Sequence, residues 1–452
     1  MSLSEQLPDR IPSVTDSDAA MVVGLLAVIY AVYLVAGSVI GVDPVSNLMS
    51  LTRWIGLFAL GALALNLHWG YTGLFNIGII GFMGVGVHVA AIVSKQPVTE
   101  GSGTIAGSTG GLGLPLLVGM LAGAVAAALF GLVVALPALR LRADYLAIVT
   151  VAVSEIFRLT VRNRRLSSFE VGGRVIGLGG GDGLQLDWGN EAELLFDTLF
   201  LGGVYDGLVA AFDGVAANPQ TAVDRTIYAV ILLVFVLLFY GLLQRMGNSP
   251  FGRVLKAIRE DEEATNSLGK DTGRFKIIVF MVGCGLMGLL GVLWFMNAGG
   301  RGTINHTQFR PTLTFFIWVA LIVGGAGSNT GSIMGGAVFA AVLFRGPRFL
   351  QSVIDELTET DLGQVARGGL GEAMAPIAGS FDVMPLLLYT AAKIQDLQLL
   401  LMGLVIIYLM QNRPQGLLGH RKEQAAAISL ERPDRQSSGG RVAATDGGEE
   451  NE

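Results

Sequence analysis

The sequence holds one cysteine, Cys284, inside an apolar run, which excludes a disulfide framework or a cysteine-based metal site within one chain. Its four histidines, His68, His88, His306 and His420, are scattered without HExxH or other ligand spacing, so they read as isolated polar side chains and no metal site is expected. Charge is scarce: 15% of the 452 residues are charged, and lysine occurs only at Lys95, Lys256, Lys270, Lys276, Lys393 and Lys422. The formal net charge of −6 argues against nucleic-acid binding, and an acidic, lysine-poor exterior suits a salt-rich environment. No basic stretch precedes the first apolar run, so that run is expected to remain as a membrane helix and not to be cleaved as a signal peptide. The string GSNTGS at 327–332 has the outline of a phosphate-binding loop, but no lysine precedes Ser332 and the string follows an apolar run, not a strand. Without a Walker A motif, energy for any work must come from another polypeptide or from an ion gradient. No convergent set of His, Asp, Glu or Ser marks a reaction centre, so no catalytic residue is expected.

What is abundant is apolar. Hydrophobic residues make up 52% of the chain and glycine contributes 63 residues against 14 prolines. A mean hydropathy of +0.59 makes lipid the main solvent, and many small residues suit membrane helices whose backbones approach closely. A spanning helix needs about 20 apolar residues to cross roughly 30 Å of hydrocarbon. Runs of that kind lie near 20–41, 53–68, 74–94, 114–138, 144–161, 225–246, 275–297, 312–325, 329–345 and 396–411. The expected fold is therefore all-α, a polytopic membrane bundle of about ten transmembrane helices. GGAGSNTGSIMGG at 324–336 is either a tight turn between two short spans or a broken helix lining a cavity. Basic residues orient the bundle. Arg253, Lys256, Arg259, Lys270 and Arg274 in the loop 247–274, Arg140 and Arg142, and Arg413, Arg421 and Lys422 belong on the cytoplasmic side. Both termini are then cytoplasmic: a tail over 1–19, a membrane domain over 20–419, and a disordered tail over 420–452. Segments 163–224 and 346–383 fall outside, with little regular structure expected, and Arg162, Arg164 and Arg165 run against the rule.

The loop 247–274 carries the most local information. Ser249-Pro250 is a helix start, a hydroxyl to cap free amides followed by a ring already at the helical φ. Phe251, Val254, Leu255 and Ile258 then form one apolar stripe, while Arg259, Glu260, Asp261, Glu262 and Glu263 crowd the other faces and Gly269 is placed to stop the helix. One short amphipathic helix along the membrane surface is expected. Pattern alone leaves open whether it docks a partner or only connects two spans.

The string GRVLKAIREDEEATNSLG at 252–269 closely resembles the cytoplasmic loop of the LivM-type permease of branched-chain amino acid ABC importers. LNLHWGYTGLFNIGIIGFMGVGVHVAA at 65–91, RLRADYLAIVTVAVSEIFRL at 140–159, IVGGAGSNTGSIMGGAV at 322–338 and NRPQGLLG at 412–419 are similar to further segments of that family. The resemblance implies a non-catalytic, multi-pass subunit of a prokaryotic plasma membrane that forms part of the path for branched-chain or related amino acids. It also implies the partners: a second homologous permease subunit, two ATPase subunits, an external substrate-binding protein and membrane lipid. The chain itself would bind no cofactor, ATP and Mg being used by the ATPases. In that family the loop fits an ATPase groove, which here assigns coupling to Ala257, Ile258, Arg259, Glu260, Asp261, Glu262, Ala264, Leu268 and Gly269. Two departures from the family pattern are Asn76 in place of a serine and Ile79 after Gly78.

Polar groups inside the spans are candidates for the path, because an ionisable residue in hydrocarbon costs at least about 2.5 kcal/mol. Glu155 stands three residues from Arg158 and either pairs with it or serves transport. Asn66, Tyr71 and Asn76 surround the turn HWGYTG and either line the path or bond between helices. Lys393 and Asp396 read as an interfacial pair, and the glycines at 283, 285, 288 and 291, with Gly119 and Gly123, read as helix packing. The alternative from a different class is a secondary ion-coupled amino-acid transporter, which needs midplane carboxylates; only Glu155 offers itself.

Overall fold

Hydrocarbon offers backbone amides and carbonyls no partner, so a chain that crosses it closes its hydrogen bonds within each segment, and the apolar runs do so as helices. The computed structural model describes residues 14–98, 109–138, 143–186, 202–214, 216, 218–296, 302–358, 361–365, 367–413 and 415–417. The expectations placed on residues 1–13, Arg140, Arg142, Arg421, Lys422 and the tail 420–452 lie outside them, as does the side chain of Asp396. In chain order the helices are α1 (Val14–Val39), α2 (Pro44–Thr72), α3 (Ile79–Ser94), α4 (Leu116–Ala138), α5 (Ala143–Arg162), α6 (Gly202–Ala211) and α7 (Pro219–Gly247). They continue with α8 (Pro250–Glu260), α9 (Glu262–Ser267), α10 (Thr272–Phe295), α11 (Pro311–Gly324) and α12 (Asn329–Val338). A π-helical turn, Phe339–Arg345, leads into α13 (Gly346–Thr358), followed by α14 (Leu362–Val365), α15 (Leu370–Ser380), α16 (Met384–Ala392) and α17 (Ile394–Asn412).

Each apolar run read from the sequence contains a helix, although the run read as 74–94 is helical only from Ile79. Among the described residues seven helices are long and apolar enough to cross a membrane: Ala20–Val39, Pro44–Thr72, Leu116–Pro137, Pro219–Gly247, Thr272–Phe295, His306–Gly324 and Asn329–Thr358. Ile79–Ser94 and Gln398–Asn412 are shorter apolar helices. The run expected to stop at 345 continues to Thr358, because the wider π turn sits just before Pro347 and absorbs the misfit of a ring that cannot donate to the preceding turn. α1 likewise begins at Val14, ahead of the boundary at 20 read from hydropathy.

The expectation of little regular structure in 163–224 and 346–383 is corrected. Strands β1 (Phe169–Val171) and β2 (Arg174–Ile176) pair antiparallel, Val171 opposite Arg174. Gly172 and Gly173 between them hold φ of 58° and 77°, the two left-handed residues that a tight hairpin turn demands. β3 (Leu184–Leu186) pairs antiparallel with β4 (Gly302–Ile304), and 346–383 carries α13, α14 and α15.

α2 is the axis of the core, buried at nearly every position from Leu51 to Thr72 and packed by α7, α10, α11 and α12. A helix apolar on all sides belongs there. α4 and α7 instead present apolar residues outward, among them Leu121, Val133, Leu237 and Leu238. Close approach between α3, α4 and α10 is made by glycine: a Cβ on Gly86 would run into the carbonyl of Gly288, and one on Gly291 into the carbonyl of Met83. The ends of α2 and α11, the start of α12 and residues 415–417 gather beside the loop 247–274. There Arg259 reaches Gly70, and Leu417 N–H donates to the Val323 carbonyl at 2.9 Å. The β3–β4 pair lies at the opposite end of the bundle, where α10 finishes and α11 begins.

Candidate functional site

The loop 247–274 folds as its start signal dictates. The Ser249 hydroxyl accepts from Gly252 N–H at 3.3 Å and Pro250 occupies the first turn of α8. Leu255 and Ile258 are buried against the bundle and Phe251 stacks on Phe275 with centroids 5.1 Å apart, so the apolar stripe is the underside of the helix. The single helix expected as far as Gly269 is broken at Asp261. That residue is extended, with φ −156° and ψ 106°, and its carboxylate accepts from Ala264 N–H at 2.9 Å to start α9. Capping a new helix there gains a charge-assisted bond at the cost of one interrupted turn. Gly269, at φ 77°, closes α9 as its position in the sequence implied.

Seven of the nine residues assigned to coupling, Ala257, Arg259, Glu260, Asp261, Ala264, Leu268 and Gly269, are exposed on the outer side of this helix pair. Ile258 and Glu262 are not: Ile258 is part of the buried underside. Glu262 pairs with Lys276 and accepts from the Thr272 hydroxyl at 3.2 Å, fastening α9 to the start of α10. Leu268 stands 81% exposed, an apolar side chain presented to solvent at the tip.

Arg259 turns the loop into part of the bundle. Its Nη1 donates to the Gly70 carbonyl at 2.5 Å while Nε and Nη2 bond Glu260 at 3.2 and 2.7 Å. A cation at a helix C-terminus satisfies an orphan carbonyl and meets the negative end of the helix dipole. On the other side of Gly70 stands Asn66, whose carbonyl oxygen accepts from Gly327 N–H at 2.7 Å and whose amide donates to Asn329 Oδ1 at 3.0 Å. Asn329 in turn donates to Gln244 of α7 at 3.3 Å. The string 324–336 is thus a tight turn, with Gly325 and Gly327 at φ 104° and 93°. Ser328 caps α12 by accepting from Gly331 N–H at 3.0 Å, so the outline of a phosphate loop is filled by the chain's own bonds. Asn66 is fully buried and belongs to this joint between helices.

Residues 73–78 leave the helical state inside the bundle. Gly73, at φ 72°, ends α2, and the chain then runs without regular structure, turning tightly where Asn76 N–H donates to the Leu74 carbonyl at 3.0 Å, to the start of α3. Backbone that is not helical at membrane depth survives where protein satisfies it. Here Ile77 N–H donates to Thr150 Oγ1 at 3.1 Å, the Ser154 hydroxyl donates to the Gly78 carbonyl at 2.9 Å, and Trp318 Nε1 donates to the Asn76 carbonyl at 3.1 Å. Asn76, fully buried, accepts from Gly78 N–H at 2.8 Å and lies 3.1 Å from His68 Nδ1, whose Nε2 lies 3.2 Å from the Phe280 carbonyl. α5 approaches so closely that a Cβ on Gly78 would meet the Thr150 carbonyl at 2.6 Å.

The four residues considered for the path are not brought together. Asn66 and Asn76 sit in separate bonded networks. Tyr71 is buried with its ring against Gly247 and Lys256 Nζ 6.0 Å from its centroid. Glu155 is held by Arg158 through a bidentate pair, Nε to Oε2 at 2.8 Å, on a half-exposed face of α5. Sequence reasoning missed Gln244, Thr150, Ser154 and the Arg259–Gly70 bond. Their residue types are ordinary, and the only signal was the polar cluster on otherwise apolar α5. Among the described residues no group of three or more His, Cys, Asp or Glu gathers to hold a metal.

Comparison with known proteins agrees with this architecture. Residues 47–410 match the family model described as the permease component of branched-chain amino acid transport systems. Over 312 residues the chain is 31% identical to the high-affinity branched-chain amino acid transport system permease protein LivM of Salmonella typhimurium, covering 68% of this chain and 64% of that protein. The Escherichia coli LivM is 29% identical over the same coverage. A probable branched-chain amino acid transport permease protein LivM of Methanocaldococcus jannaschii is 25% identical over 301 residues, 62% of this chain and 76% of that one. The chain thus spans a little under two thirds, 64%, of the length of the two bacterial relatives. No solved structure matches it. With a helical membrane bundle, a capped polar loop seated on its core axis and a family model running through both, the chain belongs to the permease-component family of branched-chain amino acid transport systems.

Proposed function

We propose that the chain is a membrane-spanning permease subunit of an ATP-binding-cassette importer for branched-chain or related amino acids, worked by ATPase partners through α8 and α9. A second permease subunit, two ATPase subunits using ATP and Mg, and an external binding protein complete the assembly. The loop 247–274 and both termini then face the cytoplasm of a prokaryotic cell. The observation that carries the reading is the bond from Arg259 to Gly70: the exposed crest of α8 is fastened to the end of the buried axis helix. A partner that grips Ala257, Glu260, Ala264 and Leu268 and moves as a rigid body pulls on α2 and on the 325–329 turn bonded to it. Those elements border the non-helical segment 73–78, where the core is held by side-chain bonds that rearrange more readily than a helical ladder.

An ion-coupled secondary carrier is not favoured, since the carboxylate it would use, Glu155, is bound to Arg158 on a half-exposed face. The test is substrate-stimulated ATP hydrolysis by the reconstituted assembly. Arg259→Ala with Leu268→Asp is expected to lower the stimulation about tenfold or more while the basal rate persists, the size of an ordinary coupling free energy. Uptake by this chain alone in proteoliposomes, without nucleotide, would overturn the reading.

A further inference from the structure

The end of the bundle away from the loop holds a cavity of ≈ 340 Å³ lined by Arg53, Leu186, Trp294, Phe295, Thr303 and Gln308. That volume lies in the range of small-molecule sites, about 300–1,000 Å³. Arg53 belongs to α2, seventeen residues before Gly70, hence about 25 Å along the axis from the joint with Arg259. Its guanidinium carbon sits 5.1 Å from the Trp54 ring centroid and 5.7 Å from that of Tyr228. The rings are fixed in turn: Trp54 meets Trp294 edge-on at 5.6 Å, and the Tyr228 hydroxyl donates to the Leu293 carbonyl. Contact with ring faces holds a guanidinium in place without using its N–H donors. Arg53 Nε is buried with no hydrogen-bond partner, and among the described residues no carboxylate pairs with this side chain.

Arg53 as a whole is half-buried, with Nε cut off from water and unbonded, and a cation held without an anion at the margin of an apolar bundle marks a functional position. The neighbouring Arg345 shows the alternative. It too stands near an aromatic ring, 5.8 Å from Tyr33, but donates to Asn47 Oδ1 at 3.0 Å and to the Ser50 hydroxyl, so it braces α2 against the π turn. Arg345 Nε is likewise unpartnered and Arg345 also borders a cavity, so the difference is at the terminal nitrogens: both are bonded in Arg345, and neither bonds a described residue in Arg53. A planar fork of donors matches a carboxylate in bidentate fashion. Leu186, Trp294 and Phe295 offer an apolar wall for a branched alkyl chain, and Thr303 supplies a hydroxyl acceptor for an ammonium group.

From these observations we infer that the Arg53 cavity is a binding site for the α-carboxylate of an apolar amino acid, on the side of the membrane opposite the loop 247–274. The proposal rests on the permease reading for the identity of the ligand, but its test does not need transport. The full chain in lipid nanodiscs is titrated with leucine, isovalerate and isovaleramide, following the fluorescence of Trp54 and Trp294 beside the site. Both carboxylates are expected to change the emission saturably, with the amide at least tenfold weaker. Arg53→Gln removes the response, and Arg53→Lys, checked to unfold at the wild-type temperature, keeps a weakened one. An equal response to the amide, an unchanged response in Arg53→Gln, or no response of the wild type to either carboxylate overturns the site. Failure of the two proposals is separable: an assembled complex that moves leucine with the same KM and rate in Arg53→Gln removes this site and leaves the importer standing. Arg53-dependent binding of leucine in an assembly that moves no amino acid does the reverse.

Discussion

The two ends of α2 are built on opposite terms. At the Gly70 end, Asn66, Arg259, Gly327 and Asn329 are bonded to one another or to the helix carbonyl, and the backbones of residues 70 and 327 nearly touch. At the other end, Arg53 lies between two rings beside an open space, its Nε without a partner. A joint that must transmit motion is best when all its polar groups are satisfied internally, because a satisfied network is stiff. A site that must bind leaves its donors uncommitted, and the protein bears the cost until a ligand arrives. On the proposed reading, conformational work and recognition are separated along one helix.

Three substitutions test that contrast, beginning with the one expected to do most. Gly70→Ala places a Cβ against the Asn66 carboxamide oxygen and 2.5 Å from the Gly327 amide nitrogen. Overpacking together with loss of the Asn66 bonds is expected to destabilise the protein by about 3 kcal/mol, seen as a large fall in thermal midpoint in detergent or as loss of the folded peak on gel filtration. A midpoint within error of wild type would show that the joint is not tightly closed. Asn66→Leu keeps the volume but strands Gly327 N–H and the Asn329 carbonyl oxygen, and is expected to cost about 2 kcal/mol by the same measurement. At the far end the sign reverses. Arg53→Gln removes a half-buried charge without removing a pair, so its midpoint is expected to be unchanged or slightly raised, within about 0.5 kcal/mol. Destabilisation of the size seen for Asn66→Leu would mean that Arg53 is a brace like Arg345 and would erase the difference between the two ends.

Much of this was legible in the chain. Hydropathy located the helices because each apolar run carries its requirement for internal hydrogen bonds with it, and Ser249-Pro250 and Gly269 marked helix ends through their own backbone chemistry. The break at Asp261 was hidden because its neighbours in REDEEA are good helix formers, so a single Asp, a poor interior residue and a good N-cap, did not stand out as a cap. The roles of the polar residues were hidden more deeply. Asn66, Asn76 and Arg53 are alike in being polar groups in apolar stretches of sequence. Their difference lies in what chain segments far away in sequence bring opposite them: Gly327 and Asn329 for the first, Met287 and Trp318 for the second, the Tyr228 ring and a cavity for the third.

By itself the sequence determined that the chain lives in lipid as a helical bundle with one capped polar loop, because transfer free energy and helix capping act over a few neighbouring residues. Tertiary structure alone decided which buried donors are satisfied and which are left open. Hydrogen bonds and ring contacts depend on distances of a few ångströms between residues that can be hundreds apart in sequence, and no local pattern records those distances.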